Sequence, residues 1–346
     1  MTGAFLAPSS RGRVWRRFRK RWLSLGALGL LGLLFAAAAL ADELASDKPI
    51  AARVGGHTWW LPNLTRPLEL RADTVQTLRA RLNRDQGDWM VEPLVPFGPY
   101  QTYSGQSAER PSAPPWGPDS DHPLGTDEVG RDVFARLVHG ARASLTVGFV
   151  AVGLYVLIGL LLGLLAGYYG GVLDAVVSRV TEITMTFPTM FFILAVMGLV
   201  HVKTLVPIML VIGLTRWTDV CRLVRAEVLR LKTLEFVQAS RAIGASDLRI
   251  LARHLVPNAM GPVLVAATFG IAGAILIESS LSFLGFGVPP PAPSWGELLS
   301  QANRYLTHPG AWWLTVYPGL AIFATVTAFN LVGEGLRDAL DPRQGA

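Results

Sequence analysis

The sequence predicts an all-α, polytopic membrane protein with six transmembrane helices, and three observations support this fold class. Hydrophobic residues make up 51% of the 346 residues and charged residues only 16%, whereas about 25% of a soluble domain is charged. Uncharged apolar runs of roughly 20 residues recur along the chain, and a helix of that length crosses the hydrocarbon core of a bilayer. The net charge is +6, but basic residues do not alternate with aromatic ones as in a nucleic-acid site. Membrane topology therefore explains the positive charge best.

The first predicted transmembrane helix is 22–41, a run without charges behind a basic segment at 1–21. Positively charged flanks stay in the cytoplasm, so 1–21 is expected there. The alternative is a cleaved signal peptide ahead of a secreted domain, because Ala39-Leu40-Ala41 has the small-x-small form of a cleavage site and Arg16-Arg17-Phe18 resembles a twin-arginine signal. The apolar run is longer than the roughly 7–15 residues of a signal peptide, which favours a retained helix.

Residues 42–140 form a polar insert that is rich in proline and aromatic residues, and the orientation of the first helix places it outside the cytoplasm. It is expected to contain one amphipathic helix, from Thr74 to Asn83, together with loops and short strands. Its last part, from His122 to Asp132, has the composition of a turn followed by a helix that Thr126 or Asp127 caps.

Five further apolar segments complete the predicted spans. The second is rich in glycine, which permits close helix packing in a bilayer; the third contains Pro188; and the fourth continues into arginines at its cytoplasmic end, where Asp219 is placed to pair with Arg216 or Arg222. An even number of spans puts 1–21 and the tail 339–346 on the same, cytoplasmic side. The segments are Leu145–Gly167 (followed by a turn at Tyr168–Gly171), Ile183–Val202, one beginning at Leu205–Thr215, Met260–Ile277 and Trp312–Val332, with a surface helix at Glu297–Tyr305.

A basic, polar stretch between the fourth and fifth spans predicts two short helices broken at Gly244. Glycine accepts the left-handed conformation that ends a helix, Ser246 and Asp247 suit the start of the next helix, and Pro257 is expected to close the unit. Two sets of residues recur at helical spacing and each should share a face. They are Phe236, Ala239 or Ser240, and Ile243 in the first helix, and Leu248, Leu251 and Leu255 in the second.

Such a basic amphipathic hairpin suits the surface of a membrane, a groove on a soluble partner, or a plain cytoplasmic connector. Its residues Gln238-Ala239-Ser240-Arg241-Ala242-Ile243-Gly244, followed by Leu255-Val256-Pro257-Asn258, resemble the coupling loop of ABC importer permeases. In that family the loop docks on the ATPase subunit. Gln238 and Ser240 stand where the family has glutamate and alanine, so the ionic role of that glutamate does not carry over.

Three more segments resemble permeases of the dipeptide, oligopeptide and nickel importers. They are His122-Pro123-Leu124-Gly125-Thr126-Asp127-Glu128-Val129-Gly130-Arg131-Asp132, the loop Pro290-Pro291-Ala292-Pro293-Ser294-Trp295-Gly296, and the tail from Phe329 to Pro342. The insert, which opens Asp47-Lys48-Pro49-Ile50, most resembles the Yej-type permeases of microcin C and peptide importers. The resemblance implies a type I ABC importer (MetI-like) transmembrane domain at 141–338 with a cytoplasmic coupling loop at 229–257.

The resemblance also implies the partners and the site. They are a second permease, two ABC ATPase subunits that bind ATP and Mg²⁺, and a periplasmic binding protein that delivers peptide to this inner-membrane, multi-pass chain, whose insert would be periplasmic. Spans two to six would line a path between the two permeases. The residues expected to contact an ATPase subunit are Glu235, Gln238, Ala239, Arg241, Ile243, Gly244, Asp247, Leu248 and Pro257.

No catalytic, cofactor or metal site is expected in this chain. The phosphate-binding motif G-x-x-x-x-G-K-[ST] is absent, since none of the four lysines follows a glycine, and neither H-E-x-x-H nor G-x-S-x-G occurs. Cys221 is the only cysteine, which rules out an intrachain disulfide, and His201 is expected at a membrane interface. An ion-coupled secondary transporter is the rival hypothesis, but it predicts ionisable residues at the midplane, whereas Glu182, Arg216 and Glu278 are expected near span ends.

Overall fold

The computed structural model of the protein describes residues 8–82, 87–102, 114–200, 204–305 and 309–341. The predictions for Asn83, His201 and Val202 fall outside these residues. The described chain is mostly helical and carries one small sheet. Its helices are α1 (Pro8–Arg19), α2 (Trp22–Ala39), α3 (Ala41–Leu44), α4 (Pro62–Thr65), α5 (Val75–Arg81), α6 (Val133–Tyr169), α7 (Gly171–Thr186), α8 (Thr189–Leu199), α9 (Leu205–Leu231), α10 (Glu235–Ala242), α11 (Asp247–Ile250), α12 (Val256–Phe283), α13 (Trp295–Arg304) and α14 (Trp313–Leu340). Its strands are β1 (Ala51–Val54), β2 (His57–Trp60) and β3 (Trp89–Val91).

The chain divides into two compact units, and four helices run through both. One unit contains 1–31, 146–277 and 325–346; the other contains 32–145 and 278–324. The division expected between 140 and 141 falls inside α6, which continues without a break for 37 residues. The all-α fold class is confirmed.

Glycines on α6 bring it into direct contact with α9 in the first unit. A Cβ atom added at Gly159 would lie 2.7 Å from the carbonyl oxygen of Trp217, and one added at Gly163 would lie 2.6 Å from that of Cys221. A Cβ atom added at Gly167 would lie 2.9 Å from the Cβ atom of Val228. The three glycines are four residues apart and therefore share one face of the helix. They form the small-x-x-x-small seam that lets two membrane helices approach closely.

The third predicted span, in which a kink is expected at Pro188, is broken at that proline. Helices α7 and α8 meet at an angle of 82° across Phe187 and Pro188, because proline has no N–H to give and its ring displaces the preceding carbonyl. Pro188 caps the start of α8. Two hydrogen bonds from Arg225 to Asp174 join α9 to α7, one of them 2.7 Å long.

Four helical segments are long and apolar enough to cross a membrane within the described residues, and the bent pair α7–α8 raises the number to five. Helix α9 fails this test because charged residues occupy its second half. The structure shows that α9 starts at Leu205, as expected, and continues to Leu231. Arg216 lies near the middle of α9, 3.7 Å from Asp219, and its place near the end of a span stays a prediction. Six crossings therefore stay a prediction.

Both described ends of the chain meet in the first unit. Arg21 pairs with Asp338 at 2.5 Å, Arg17 donates to the carbonyl of Asp341 at 3.1 Å, and the hydroxyl of Ser24 donates to the carbonyl of Leu331 at 2.9 Å. The start of α2 and the end of α14 consequently lie side by side.

The second unit contains the small antiparallel sheet, with strand order β2-β1-β3. Ala51 lies opposite Trp60 on one side and Val91 on the other. The helix expected from Thr74 is α5, and Thr74 caps it in a reciprocal arrangement with Thr77.

A buried ionic network organises the segment from His122 to Asp132 in the same unit. Asp127 accepts a hydrogen bond from Arg131 at 2.6 Å, and the fully buried Arg136 lies 3.3 Å from Asp127 and 2.5 Å from Glu297. The expected cap was wrong: Asp132, rather than Thr126 or Asp127, accepts the N–H of Ala135 at 2.7 Å at the start of α6. The carboxylate of Asp127 instead accepts hydrogen bonds within the turn and contacts Arg131 and Arg136.

Helix α13 matches the predicted surface helix, but one of its faces is buried. Trp295 is 1% exposed and donates its indole N–H to the carbonyl of Leu137 at 2.9 Å. Ser294 caps the helix through the N–H of Glu297 at 3.1 Å. Nearby, the carboxylate of Glu278 is fully buried and accepts a hydrogen bond from Ser282 at 2.9 Å.

Candidate functional site

The candidate site is the coupling hairpin, which we define as α10, the turn at Gly244 and α11 with the first turn of α12 (235–257). Helix α10 ends as predicted, with Gly244 at φ +82°. The N–H of Ala245 donates to the carbonyl of Ser240 at 3.0 Å, and the N–H of Gly244 donates to that of Arg241 at 3.0 Å. This pair of bonds is the Schellman arrangement, which satisfies the last carbonyls of a helix. The break between the two helices is therefore a built turn with a defined geometry.

The hairpin is anchored by one residue that the periodicity selected, Leu255, and by two that it did not, Val237 and Ile250. Val237, Ile250 and Leu255 are buried, whereas Ile243 is 85% exposed and Leu248 is 76% exposed. The helical spacing placed Ile243 and Leu248 on apolar faces without indicating what covers them, and in the structure both side chains are exposed. Two large apolar side chains thus flank the turn without being covered by the described part of this chain.

The structure leaves most of the predicted contact residues accessible. Pro257 is half-buried and the other eight are exposed, namely Glu235, Gln238, Ala239, Arg241, Ile243, Gly244, Asp247 and Leu248. Ser246 starts α11 without a side-chain cap bond. Contact of these residues with an ATPase stays a prediction.

Tyr168, at the end of α6, holds the hairpin in place. Its hydroxyl donates to the carboxylate of Asp247 at 2.5 Å, and the guanidinium of Arg241 lies 5.4 Å from the centre of its ring, within cation–π range. Lys232, just before α10, donates to the carbonyl of Gly167 at 2.8 Å. Tyr168 therefore ties the hairpin directly to the end of α6. The sequence predicted only that Tyr168 lies in a turn, because nothing in the neighbouring sequence indicates its contact with Asp247.

Pro257 does not close the hairpin, contrary to expectation. The chain continues from α11 through a π-helical turn at Leu251–Leu255 into α12, and the N–H of Val256 bonds to the carbonyl of Leu251 five residues back. The wider π turn accommodates a residue whose ring would clash with an ordinary α-helical carbonyl. Consequently the hairpin is mechanically continuous with the span α12 as well as tied to α6.

A shallow groove runs beside the turn. It is lined by Ser246, Leu248, Arg249, Ala252 and Arg253, together with Pro257, and has a volume of about 580 Å³. Its chemistry is apolar at Leu248 and basic at the two arginines, which suits a protein surface that offers an apolar side chain and carboxylates. No group of three or more potential metal-ligating side chains occurs among the residues that the structure describes.

A larger, polar cavity lies between α7 and α9 in the same unit. Its volume is about 760 Å³, and its polar lining includes Ser178, Thr181, Glu182, Asp219 and Arg222. Ionisable side chains within membrane helices typically face a water-filled space or the interior of a bundle. The charged half of α9 therefore borders a space that could hold water or a polar solute.

The comparisons with known proteins agree with this geometry. Residues 159–345, more than half of the chain, match the model of the family described as "Binding-protein-dependent transport system inner membrane component". The chain is 40% identical over 247 residues to the dipeptide transport system permease protein DppC of Alkalihalophilus pseudofirmus, covering 71% of this chain and 80% of the relative. It is 40% identical over 244 residues to the oligopeptide transport system permease protein OppC of Bacillus subtilis, covering 70% and 77%.

One solved structure is also similar, an inward-facing conformation of the MetNI methionine ABC transporter. It aligns with 60% of this chain and 97% of its own, with 20% sequence identity and a TM-score of 0.48.

The helical spans and the exposed hairpin define a membrane-embedded protein of the permease class. The chain belongs to the family of inner-membrane components of binding-protein-dependent transport systems. Membership implies a substrate-binding protein and an ATPase as partners. The family match begins inside α6, so α2, the insert and the first part of α6 lie outside it.

Proposed function

We propose that this chain is one permease subunit of an ATP-driven importer of peptides, and that an ATPase subunit docks on its coupling hairpin. The observation that carries the docking proposal is the exposure of Ile243 and Leu248 on either side of a rigid, glycine-built turn. Exposed apolar side chains that flank charged ones are the composition of a binding surface rather than of a plain connector. The names of the relatives support peptides as the cargo.

The ties around the hairpin support a mechanism of alternating access. When ATP draws two ATPase subunits together, each would carry a hairpin with it. The contacts of Asp247 and Arg241 with Tyr168 would then move the end of α6, and the unbroken passage into α12 would move that helix too. Hydrolysis would let both relax. A second, homologous permease completes this arrangement, and ATP and Mg²⁺ are bound by the ATPase subunits.

The polar cavity between α7 and α9 is the part of the chain that we assign to the transport path. Glu182, Asp219 and Arg222 offer both signs of charge along its wall, and a peptide carries both signs at its ends. Its volume lies within the range of about 300–1,000 Å³ that is typical of ligand sites.

Contacts within the first unit also favour six crossings with both termini on one side. Lys232, just after α9, contacts Gly167 at the end of α6. The chain therefore leaves this side through the bent pair α7–α8 and comes back to it through α9, so the pair and α9 cover the same distance in opposite directions. The start of α2 likewise lies beside the end of α14 at Asp338. The basic segment 1–21 then assigns this side to the cytoplasm and places the insert in the periplasm.

The docking proposal is tested by changing the chemistry of the exposed tip. Replacing Ile243 and Leu248 by aspartate (Ile243→Asp, Leu248→Asp) should abolish both co-purification of the ATPase and ATP-dependent peptide uptake, because two carboxylates cannot be buried in an apolar interface. The conservative variants Ile243→Met and Leu248→Met should retain both. Since these side chains are exposed, membrane insertion and thermal stability should stay unchanged in all four variants. Uptake that persists in the aspartate variants, or without any ATPase, would refute the proposal.

A further inference from the structure

The insert carries an apolar tip, which we define as residues 60–68 and which the transport function does not explain. Trp60 is 71% exposed, Leu61 44%, Leu64 50% and Leu68 80%. The sheet continues this surface, since the rings of Trp60 and Trp89 lie 6.0 Å apart. Four large apolar side chains within nine residues, all open to the surroundings, form a patch of the kind that meets a partner or a membrane.

The backbone of the apolar tip is strained at both ends of α4. Leu61 has φ +51° and Arg66 has φ +45°, a left-handed conformation that is costly for a bulky residue. Among the described residues these are the only positions other than glycine with positive φ. Such strain persists where the surrounding contacts enforce it, and it is characteristic of functional segments. The tip is therefore held in its shape although the chain's own preferences oppose it.

The contacts that enforce this shape converge on Asn63. Asn63 is 1% exposed; its side-chain amide donates to the carbonyl of Asp42 at 3.0 Å, and its backbone N–H donates to the carbonyl of Pro49 at 3.2 Å. The N–H of Leu61 donates to the carbonyl of Ile50 at 2.9 Å. With Asn63 held inward, Leu61 and Leu64 on either side of it remain outside.

These contacts fix the apolar tip at the end of a membrane helix. Asp42 belongs to α3, which starts two residues after α2 ends at Ala39. The 18 residues of α2 span about 27 Å at 1.5 Å per residue, close to the roughly 30 Å of a hydrocarbon core. Arg142 marks the same level, since it donates to the carbonyl of Ala39 at 2.8 Å and to Asp42 at 2.7 Å. The tip is thus joined to the chain where α2 leaves the bilayer.

We propose that the apolar tip is a lipid-binding surface, seated in the headgroup region of the leaflet that the end of α2 reaches. Trp60 and the leucines would enter the boundary between headgroups and acyl chains, where tryptophan is favoured. Arg66, which is exposed, would meet lipid phosphates there, as would the uncovered part of Arg142, which is half-buried and paired with Asp42. The tip clamps the insert flat against the membrane surface. The proposal needs α2 to span the membrane and does not depend on the cargo or on the ATPase.

The test measures the contact of the tip with lipid in the full-length chain. Leu64→Cys, in a Cys221→Ser background, is labelled with a nitrobenzoxadiazole fluorophore and reconstituted alone into nanodiscs of phosphatidylcholine and phosphatidylglycerol. Phosphatidylcholine brominated near the top of its acyl chains should remove about half of the fluorescence or more, since a tip in the interface lies about 5–10 Å into that boundary. His57→Cys, at the opposite end of β2 from Trp60 and about 10 Å from it along the strand, is the matched control and should be quenched several-fold less.

Every outcome decides the proposal. Strong quenching at position 64 with weak quenching at position 57 supports it. Equal, weak quenching at both sites overturns it, and so does a label at position 64 that is shielded only when other proteins of the transporter are added, because the tip would then be a protein interface. Melting curves of the labelled variants establish that both are folded. Failure of the docking test leaves this measurement unaffected, so the two proposals can fail separately.

Discussion

Gly244 shows how much a single residue contributes to the coupling hairpin. Its φ of +82° is one that glycine adopts without cost, and a Cβ atom added there would meet nothing within 4 Å. Space is thus available and conformation is the sole constraint. The sequence predicted this position because glycine followed by a capping residue is a helix-ending signal. It could not predict Tyr168 or Asp132, whose roles depend on partners brought together by the fold.

Replacing Gly244 should therefore impair coupling according to the backbone preference of the new residue rather than its size. Gly244→Val should destabilise the turn by about 1–3 kcal/mol and sharply reduce ATPase co-purification and peptide uptake. Gly244→Asn should retain much of both, because asparagine tolerates the left-handed region. Equal activity of the two variants would show that the turn geometry does not matter. Quantifying each variant in isolated membranes establishes equal insertion.

At the scale of elements, the seam between α6 and α9 depends on backbone approach. The glycine-rich second span was predicted to pack closely, and the structure identifies its partner. The sequence could not identify α9 as that partner, because its charged residues lower its mean hydropathy below that of a typical membrane helix. Similarly, the period of α10 and α11 grouped Ile243 and Leu248 with apolar neighbours but could not show that both are exposed. Periodicity is informative over several helical turns and loses its meaning in helices of eight and four residues.

Gly163→Ala tests this seam with the smallest possible addition. The new methyl group would lie 2.6 Å from the carbonyl oxygen of Cys221, so the helices must separate, and we expect a loss of about 1–3 kcal/mol in the free energy of unfolding. The control is Gly153→Ala on the same helix, where the added atom meets nothing within 4 Å. It should be neutral or slightly stabilising, since alanine is the better helix former. Denaturation of the purified protein in detergent measures both, and equal effects would contradict the role of the seam.

At the scale of the whole molecule, hydropathy alone undercounts the crossings that the contacts favour. Four or five segments are apolar enough to cross a membrane, whereas an even number of crossings is needed to bring the described chain ends together, and we propose six. The fold class and the hairpin were predictable from the sequence, because long apolar runs and a glycine break are local signals. The sheet register, the buried Arg136 network and the apolar tip were not, because they arise from contacts between distant segments.

The proposed topology is tested by labelling single cysteines in intact spheroplasts, in a Cys221→Ser background. Arg17→Cys and Arg241→Cys should be protected from a membrane-impermeant maleimide until the membrane is opened, because the proposed topology puts both on the cytoplasmic side. Pro290→Cys should react at once. Sequencing of the mature protein should still find the residues of α1. The reverse labelling pattern would invert the topology, and a new amino terminus at Asp42 would establish a cleaved signal peptide.

The clasp between the two described chain ends has a consequence for biosynthesis. Ser24, in α2, and Arg21, just before it, are synthesised more than 300 residues ahead of their partners, Leu331 and Asp338. The start of α2 therefore lacks these contacts until α14 has been made. A nascent chain that stops early would leave these polar groups without their partners, and so a truncated product would carry a mark that cellular proteases can recognise.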